Sequence, residues 1–215
     1  MSSAAEHEYR HLPVMGSAEA VGHGAGGPAP QRIVVGYGFW IFLLSDIVMF
    51  SAFFATYGVL LPETAGGPGP RDIFDLTTAG WETAFLLASS FACTIATLGV
   101  EQRSQRWTQI GLLVAGLFGV GFLALEFREF ADLIEKGYGP ERSAFLTSFF
   151  TLVGCHGAHV SLGLLWLGTM MAQFYAKGFR ETIVHRFLCF SLFWHALDII
   201  WVAIFTVVYL MGVRL

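Results

Sequence analysis

The chain has 215 residues, 55% of them hydrophobic and 13% charged, with a mean hydropathy of +0.62. A soluble domain carries about twice that charged fraction, and the apolar runs are too long for a soluble core, so the composition is that of an integral membrane protein. The net charge of −4 and pI near 5.9 provide no basic surface and argue against a nucleic-acid partner.

In chain order, residues 1–32 form a hydrophilic stretch rich in Gly, Ala and Pro. Such a composition buries too little apolar surface to offset the entropy of ordering, so this stretch is expected to be a disordered tail. His7, His11 and His23 lie in it without ligand-like spacing. The apolar run that follows starts too late and is too long for a cleavable secretory signal.

Residues 33–215 are expected to form the membrane domain, with five apolar segments at about 36–61, 81–100, 107–127, 144–172 and 187–212. Each reaches the roughly 20 residues that a helix needs to cross about 30 Å of hydrocarbon. The runs are continuous rather than alternating, which favours helices over barrel strands. Short connections between them imply an all-α, five-transmembrane-helix antiparallel bundle. The link at 128–143, REFADLIEKGYGPERS, is polar and can continue the third helix by a turn or two. With the N-terminus cytoplasmic and the C-terminus periplasmic, seven Lys and Arg fall inside and five outside. This small excess follows the positive-inside rule.

Cys93, Cys155 and Cys189 all lie in apolar segments and form no CxxC pair, so no disulfide framework is implied. Buried small apolar residues are the simplest reading of all three.

Polar residues at membrane depth carry the remaining information. An Asp at the centre of a membrane helix costs about 2.5–3.5 kcal/mol on insertion scales, so each such group calls for a partner. Asp46 lies in the first helix, His156 and His159 in the fourth, and His195 and Asp198 in the fifth. At 1.5 Å per residue, these positions fall roughly 12–22 Å along their helices and converge on one polar layer just below the midplane. His156/His159 and His195/Asp198 are i,i+3 pairs, each on one helix face. Gly154, Gly157, Ala158, Ser161 and Gly163 surround the first pair and permit close helix approach.

Four readings of the layer compete. Thiolate, imidazole and carboxylate suit zinc, copper or iron, but Cys155 points about 100° away from His156 on a helix. Haem ligation by His pairs would need a ring-sized cavity. Proton conduction would need a chain of acids reaching a surface. Interhelical hydrogen bonding by neutral His and Asp is the reading favoured, with no catalytic, cofactor or metal residue assigned. Glu126 and Glu129, an i,i+3 pair in LALEFREF, are expected as an interfacial acidic pair facing Arg128, Arg142 or Lys136. Glu82 is expected near a helix end, and Trp81, Trp107 and Tyr209 as interface anchors.

The stretch LEFREFADLIEKGYGPERSAFLTSFFTLVGCHGAHVSLGLLWL resembles subunit III of the haem–copper terminal oxidases. So do FSLFWHALDIIWVAIFTVVYLMG, with its WHxxDxxW core, and FWIFLLSDIVMFSAFFATY, where Asp46 stands at a position often held by Glu. The resemblance covers about residues 33–212. Many members have seven helices; five, beginning at the equivalent of the third, match the quinol-oxidase branch, although five-helix cytochrome c oxidases also exist.

The resemblance implies an accessory subunit of a bacterial inner-membrane complex that oxidises ubiquinol, reduces oxygen and moves protons. Such a subunit binds no haem or copper, these being held by subunit I. Its expected partners are subunit I, which it stabilises and whose proton uptake it sustains, together with subunits II and IV and membrane lipids. A bound phospholipid is compatible with the resemblance, although seven-helix members form their lipid cleft with the first two helices, whose equivalents precede the third. A stand-alone transporter, the alternative from another class, would be expected to show inverted repeats or broken helices, and neither is evident.

Overall fold

The computed structural model describes residues 31–213, and all of its long elements are helices. They are α1 (Gln31–Leu60), a short α2 (Pro70–Ile73), α3 (Leu76–Glu101), α4 (Gln105–Glu135), α5 (Ala144–Lys177) and α6 (Glu181–Ile204). A π-helical segment, Phe205–Leu210, prolongs α6. The five long elements are each apolar and long enough to cross a membrane, as the composition requires. The backbone divides into units 1–34 and 35–215, and of the first unit only residues 31–34 are described. The expected disordered tail therefore lies almost wholly outside the described residues.

The helix ends follow local chemistry more than hydropathy. Asp75 caps α3: its Oδ1 accepts from the Thr77 amide at 2.9 Å and its Oδ2 from the Thr78 hydroxyl at 2.9 Å. These bonds hold the Asp75 carboxyl below the usual carboxylate range, the Thr77 amide contributing most. The cap moves the start of α3 about five residues upstream of the expected one. Ser143 caps α5 by accepting from the Leu146 amide at 3.2 Å. At the other end of α4, Gly137 adopts φ +79°, a left-handed conformation in which a side chain would be strained.

α3 to α6 form a closed ring in which each helix packs antiparallel to the next. α3 and α4 approach most closely: a Cβ on Gly111 would lie 2.6 Å from the Ala96 nitrogen, and one on Gly99 2.6 Å from the Thr108 nitrogen. The ring closes between α6 and α3 through two indoles. Trp194 Nε1 donates to Ser89 Oγ and Trp201 Nε1 to Thr83 Oγ1, both at 3.0 Å. α4 and α5 are joined by Gln109 Nε2 donating to the Met171 carbonyl at 3.0 Å and by the Phe130–Phe150 ring pair at 4.7 Å.

α1 lies along α5. Its buried side chains Leu43, Phe50 and Tyr57 recur every seven residues, a single seam on one face. Ring contacts Phe39–Trp166, Phe50–His159 and Tyr57–Phe145 run in opposite chain order, so the two helices are antiparallel. The hydroxyls of Ser45, Ser51 and Thr56 donate to carbonyls three or four residues earlier in α1, which satisfies them without a neighbouring helix. Large apolar side chains on the outer surface, such as Phe91 and Leu165, are exposed. Lipid or another membrane chain can cover them without the penalty they would meet in water.

Candidate functional site

The polar residues fall into three groups. On the outer groove between α3 and α6, Ser90 Oγ lies 2.7 Å from His195 Nδ1, and Asp198 faces the same hydroxyl. His195 and Asp198 are half-buried, and Asp198 Oδ1 has no hydrogen-bond partner. Thr97 Oγ1 and Ser191 Oγ lie 3.4 Å apart in the same groove. The i,i+3 spacing of His195 and Asp198 thus does what helical geometry demands and turns both toward α3.

Between α1 and α5, His159 Nδ1 is 2.7 Å from the Cys155 carbonyl of its own helix and 3.7 Å from Cys155 Sγ. Asp46, half-buried on α1, interacts electrostatically with Cys155. His156, one residue on from Cys155, is turned into the ring and fully buried. It sits in an aromatic cage of Trp201, Phe122 and Phe50, with ring centroids 5.3, 5.8 and 6.3 Å away. Neither of its nitrogens has a hydrogen-bond partner. The five layer residues are therefore distributed over three environments: the α3/α6 groove, the α1/α5 seam and the ring interior.

The third group is carboxylic. Glu82 of α3 is fully buried with neither oxygen partnered, and Glu126 of α4 is buried with Oε2 unpartnered. Glu126 reaches α5 at Gly157, where a Cβ would come within 2.7 Å of Oε2. Glu129, one turn along α4, is half-buried and accepts a 2.8 Å hydrogen bond from the Tyr209 hydroxyl. The three carboxyls interact electrostatically with one another and with Tyr209.

Sequence reasoning places Glu82 and Tyr209 at helix ends, and the structure buries both within the bundle. For Glu82 the reason is helix length. α3 begins at Leu76, so Glu82 lies nearly two turns in, and α4 continues to Glu135, beyond Glu126 and Glu129. The signal for Glu82 is in the sequence: Asp75 followed by Thr77 and Thr78 is an N-cap pattern. For Tyr209, fixed inward on the π-helical segment, no such signal exists. The acidic pair meets Tyr209 on one side, while Glu129 also shares a surface cavity with Arg128 and Lys136.

Among the described residues, no three His, Cys, Asp or Glu side chains are grouped to hold a metal ion. The arrangement can hydrogen-bond, pack and hold protons.

Comparison with known proteins gives one consistent family. The family model of cytochrome c oxidase subunit III matches residues 17–213. A cytochrome bo(3) ubiquinol oxidase subunit 3 from Pseudomonas aeruginosa is 50% identical over 82% of this chain and 84% of its own length. The protein of the same description from Pseudomonas putida is 48% identical over 82% and 85%. A cytochrome c oxidase subunit 3 from a Bacillus species is 40% identical over 81% and 84%.

Proposed function

The chain belongs to the cytochrome c oxidase subunit III family, and from that membership we propose that it is the accessory, non-catalytic subunit III of a bo-type ubiquinol oxidase. The observation that carries the branch assignment is the 50% identity to a bo(3) ubiquinol oxidase subunit 3, maintained along most of both chains. The 40% identity to a cytochrome c oxidase subunit 3 supports the second reading, a five-helix subunit of a cytochrome c oxidase. Family membership replaces the stand-alone transporter.

In this reading the complex takes electrons and protons from ubiquinol and delivers them to oxygen, forming water, while moving protons across the bacterial inner membrane. Haem and copper belong to subunit I. The present chain contributes a rigid four-helix ring with an outer helix, packed beside subunit I with subunits II and IV and lipid. The N-terminus lies in the cytoplasm and the C-terminus in the periplasm. It supports assembly of subunit I and its continued proton uptake. The His195–Ser90–Asp198 groove serves helix association, because Ser90 of α3 bonds His195 of α6. At the Asp46–Cys155–His159 seam, His159 is held by the carbonyl of its own helix and meets α1 by ring packing against Phe50.

The test is to purify the native complex and supply either ubiquinol or reduced cytochrome c. Oxygen consumption with ubiquinol alone is expected. Consumption with cytochrome c alone would transfer the chain to the second reading.

A further inference from the structure

At one end of the ring, between the start of α3 and the end of α4, lies a cavity of about 310 Å³. Asp75, Thr78, Arg128, Glu129, Asp132 and Lys136 line it. The lining mixes both charge signs and opens to the surface, since Arg128 is exposed. Glu129 is the residue that belongs both to this cavity and to the buried carboxylic group behind it.

Behind Glu129 the groups succeed one another inward. Tyr209 donates to Glu129 Oε2 and interacts electrostatically with all three glutamates. Glu126 lies one turn deeper along α4, against Gly157. Glu82 enters from a different helix, α3, one turn below Thr78. It is fully buried, has neither oxygen bonded, and interacts with both Glu126 and Glu129. On the side of α1, Tyr57 also has an unpartnered buried hydroxyl and is linked to Tyr209 through the rings of Phe145 and Phe74.

A fully buried carboxyl with no partner on either oxygen needs an occupant beside it, and three carboxylates that interact electrostatically cannot all stay charged away from water. The cations at the cavity, Arg128 and Lys136, are on its outer lining, and the three carboxyls are not arranged to hold a metal ion. The occupant that fits is the proton, shared between carboxyls and bridged by water admitted from the cavity. We propose that Glu82, Glu126 and Glu129, with the Tyr209 hydroxyl, form a proton-binding site that exchanges with water through the cavity between α3 and α4. Each loading step adds one proton from water to a carboxylate, giving a neutral carboxylic acid, and each release reverses it. The proposal rests on this chain's own residues and not on the choice of electron donor.

Infrared spectroscopy of the intact complex in H2O and D2O tests this. A protonated-carboxyl carbonyl band is expected that shifts down in D2O and loses intensity in Glu82→Gln and in Glu126→Gln. Thr78→Phe, which fills the cavity, should keep the band and slow its deuterium exchange several-fold; this arm still reads the site if a glutamine variant fails to assemble. A band unaffected by both glutamine variants, or one that does not exchange, overturns the proposal. Loss of the band on adding Na⁺ would replace it with a cation site, and exchange unchanged by Thr78→Phe would refute the cavity route.

Discussion

α1 and the α3–α6 ring are both apolar, membrane-length helices, yet they are held in different ways. The ring closes through indole and amide hydrogen bonds between helices and through glycines that bring backbones together. α1 turns its hydroxyls onto its own carbonyls and meets α5 along one seam of Leu43, Phe50 and Tyr57. In a membrane, lipid is as apolar as a neighbouring helix, so association depends on close packing and polar bonds rather than on hydrophobic burial. The ring has both; α1 has mainly the seam. The contrast suits a subunit whose ring is a self-contained body and whose outer helix keeps most of its surface for lipid or another chain.

The largest effect is expected where the ring's backbones touch. In Gly111→Leu the new side chain meets the backbone of Ala96 and the Ala92 carbonyl, which cannot rotate away. Overpacking typically costs about 1–3 kcal/mol and more where backbone must move, so the chain should fail to accumulate in the membrane. Normal accumulation, measured by immunoblot of the membrane fraction, would show that the ring is looser than its geometry.

Phe50→Ala should have a smaller and more local effect. Truncating a buried Phe costs roughly 3–5 kcal/mol in soluble cores, and less here, because lipid can fill the space. The ring should persist while α1 loosens, which limited proteolysis in the 61–69 connection would detect as faster cleavage. Uniform loss of the whole chain would contradict the two-part construction.

The smallest effect concerns the cap of α3, at the mouth of the ring. The Thr77 amide and Thr78 hydroxyl hold Asp75 below its usual range. A carboxyl depressed on folding stabilises above its unfolded pKa and loses that contribution as pH falls through its folded pKa. Thermal stability of the complex should therefore decline slightly more on acidification for the native chain than for Asp75→Asn. Equal acid slopes would mean the cap does not matter at this exposed position.

Much of this architecture was legible in the sequence, for reasons that also explain what was not. Five spans follow from continuous apolar runs, because lipid demands a fully bonded backbone over a fixed thickness. The i,i+3 spacing of His195 and Asp198 puts both toward Ser90 of α3, since helical periodicity is local. The continuation of α4 through REFADLIE was legible, but the start of α3 was less so, because Asp75 lies in a polar run that hydropathy assigns to a loop. That displacement is what hid the burial of Glu82, while the burial of Glu126 depends on the position of α5 at Gly157. His156 and His159 are three residues apart, yet one faces the ring interior and the other the α1 seam. Periodicity places both on one side of α5, and only the positions of α1, α4 and α6 divide that side into two environments.

The central claim is that this chain builds a complex whose electron-carrying groups lie elsewhere, so its buried histidines pack rather than ligate. The direct measurement is the haem and copper content, with the optical spectrum, of the complex carrying His156→Ala. Less complex should be recovered, because the imidazole fills the cage of Phe50, Phe122 and Trp201, while haem and copper per complex and the Soret band should match the native protein. Loss of a haem or a copper, or a shifted Soret band, would contradict the account.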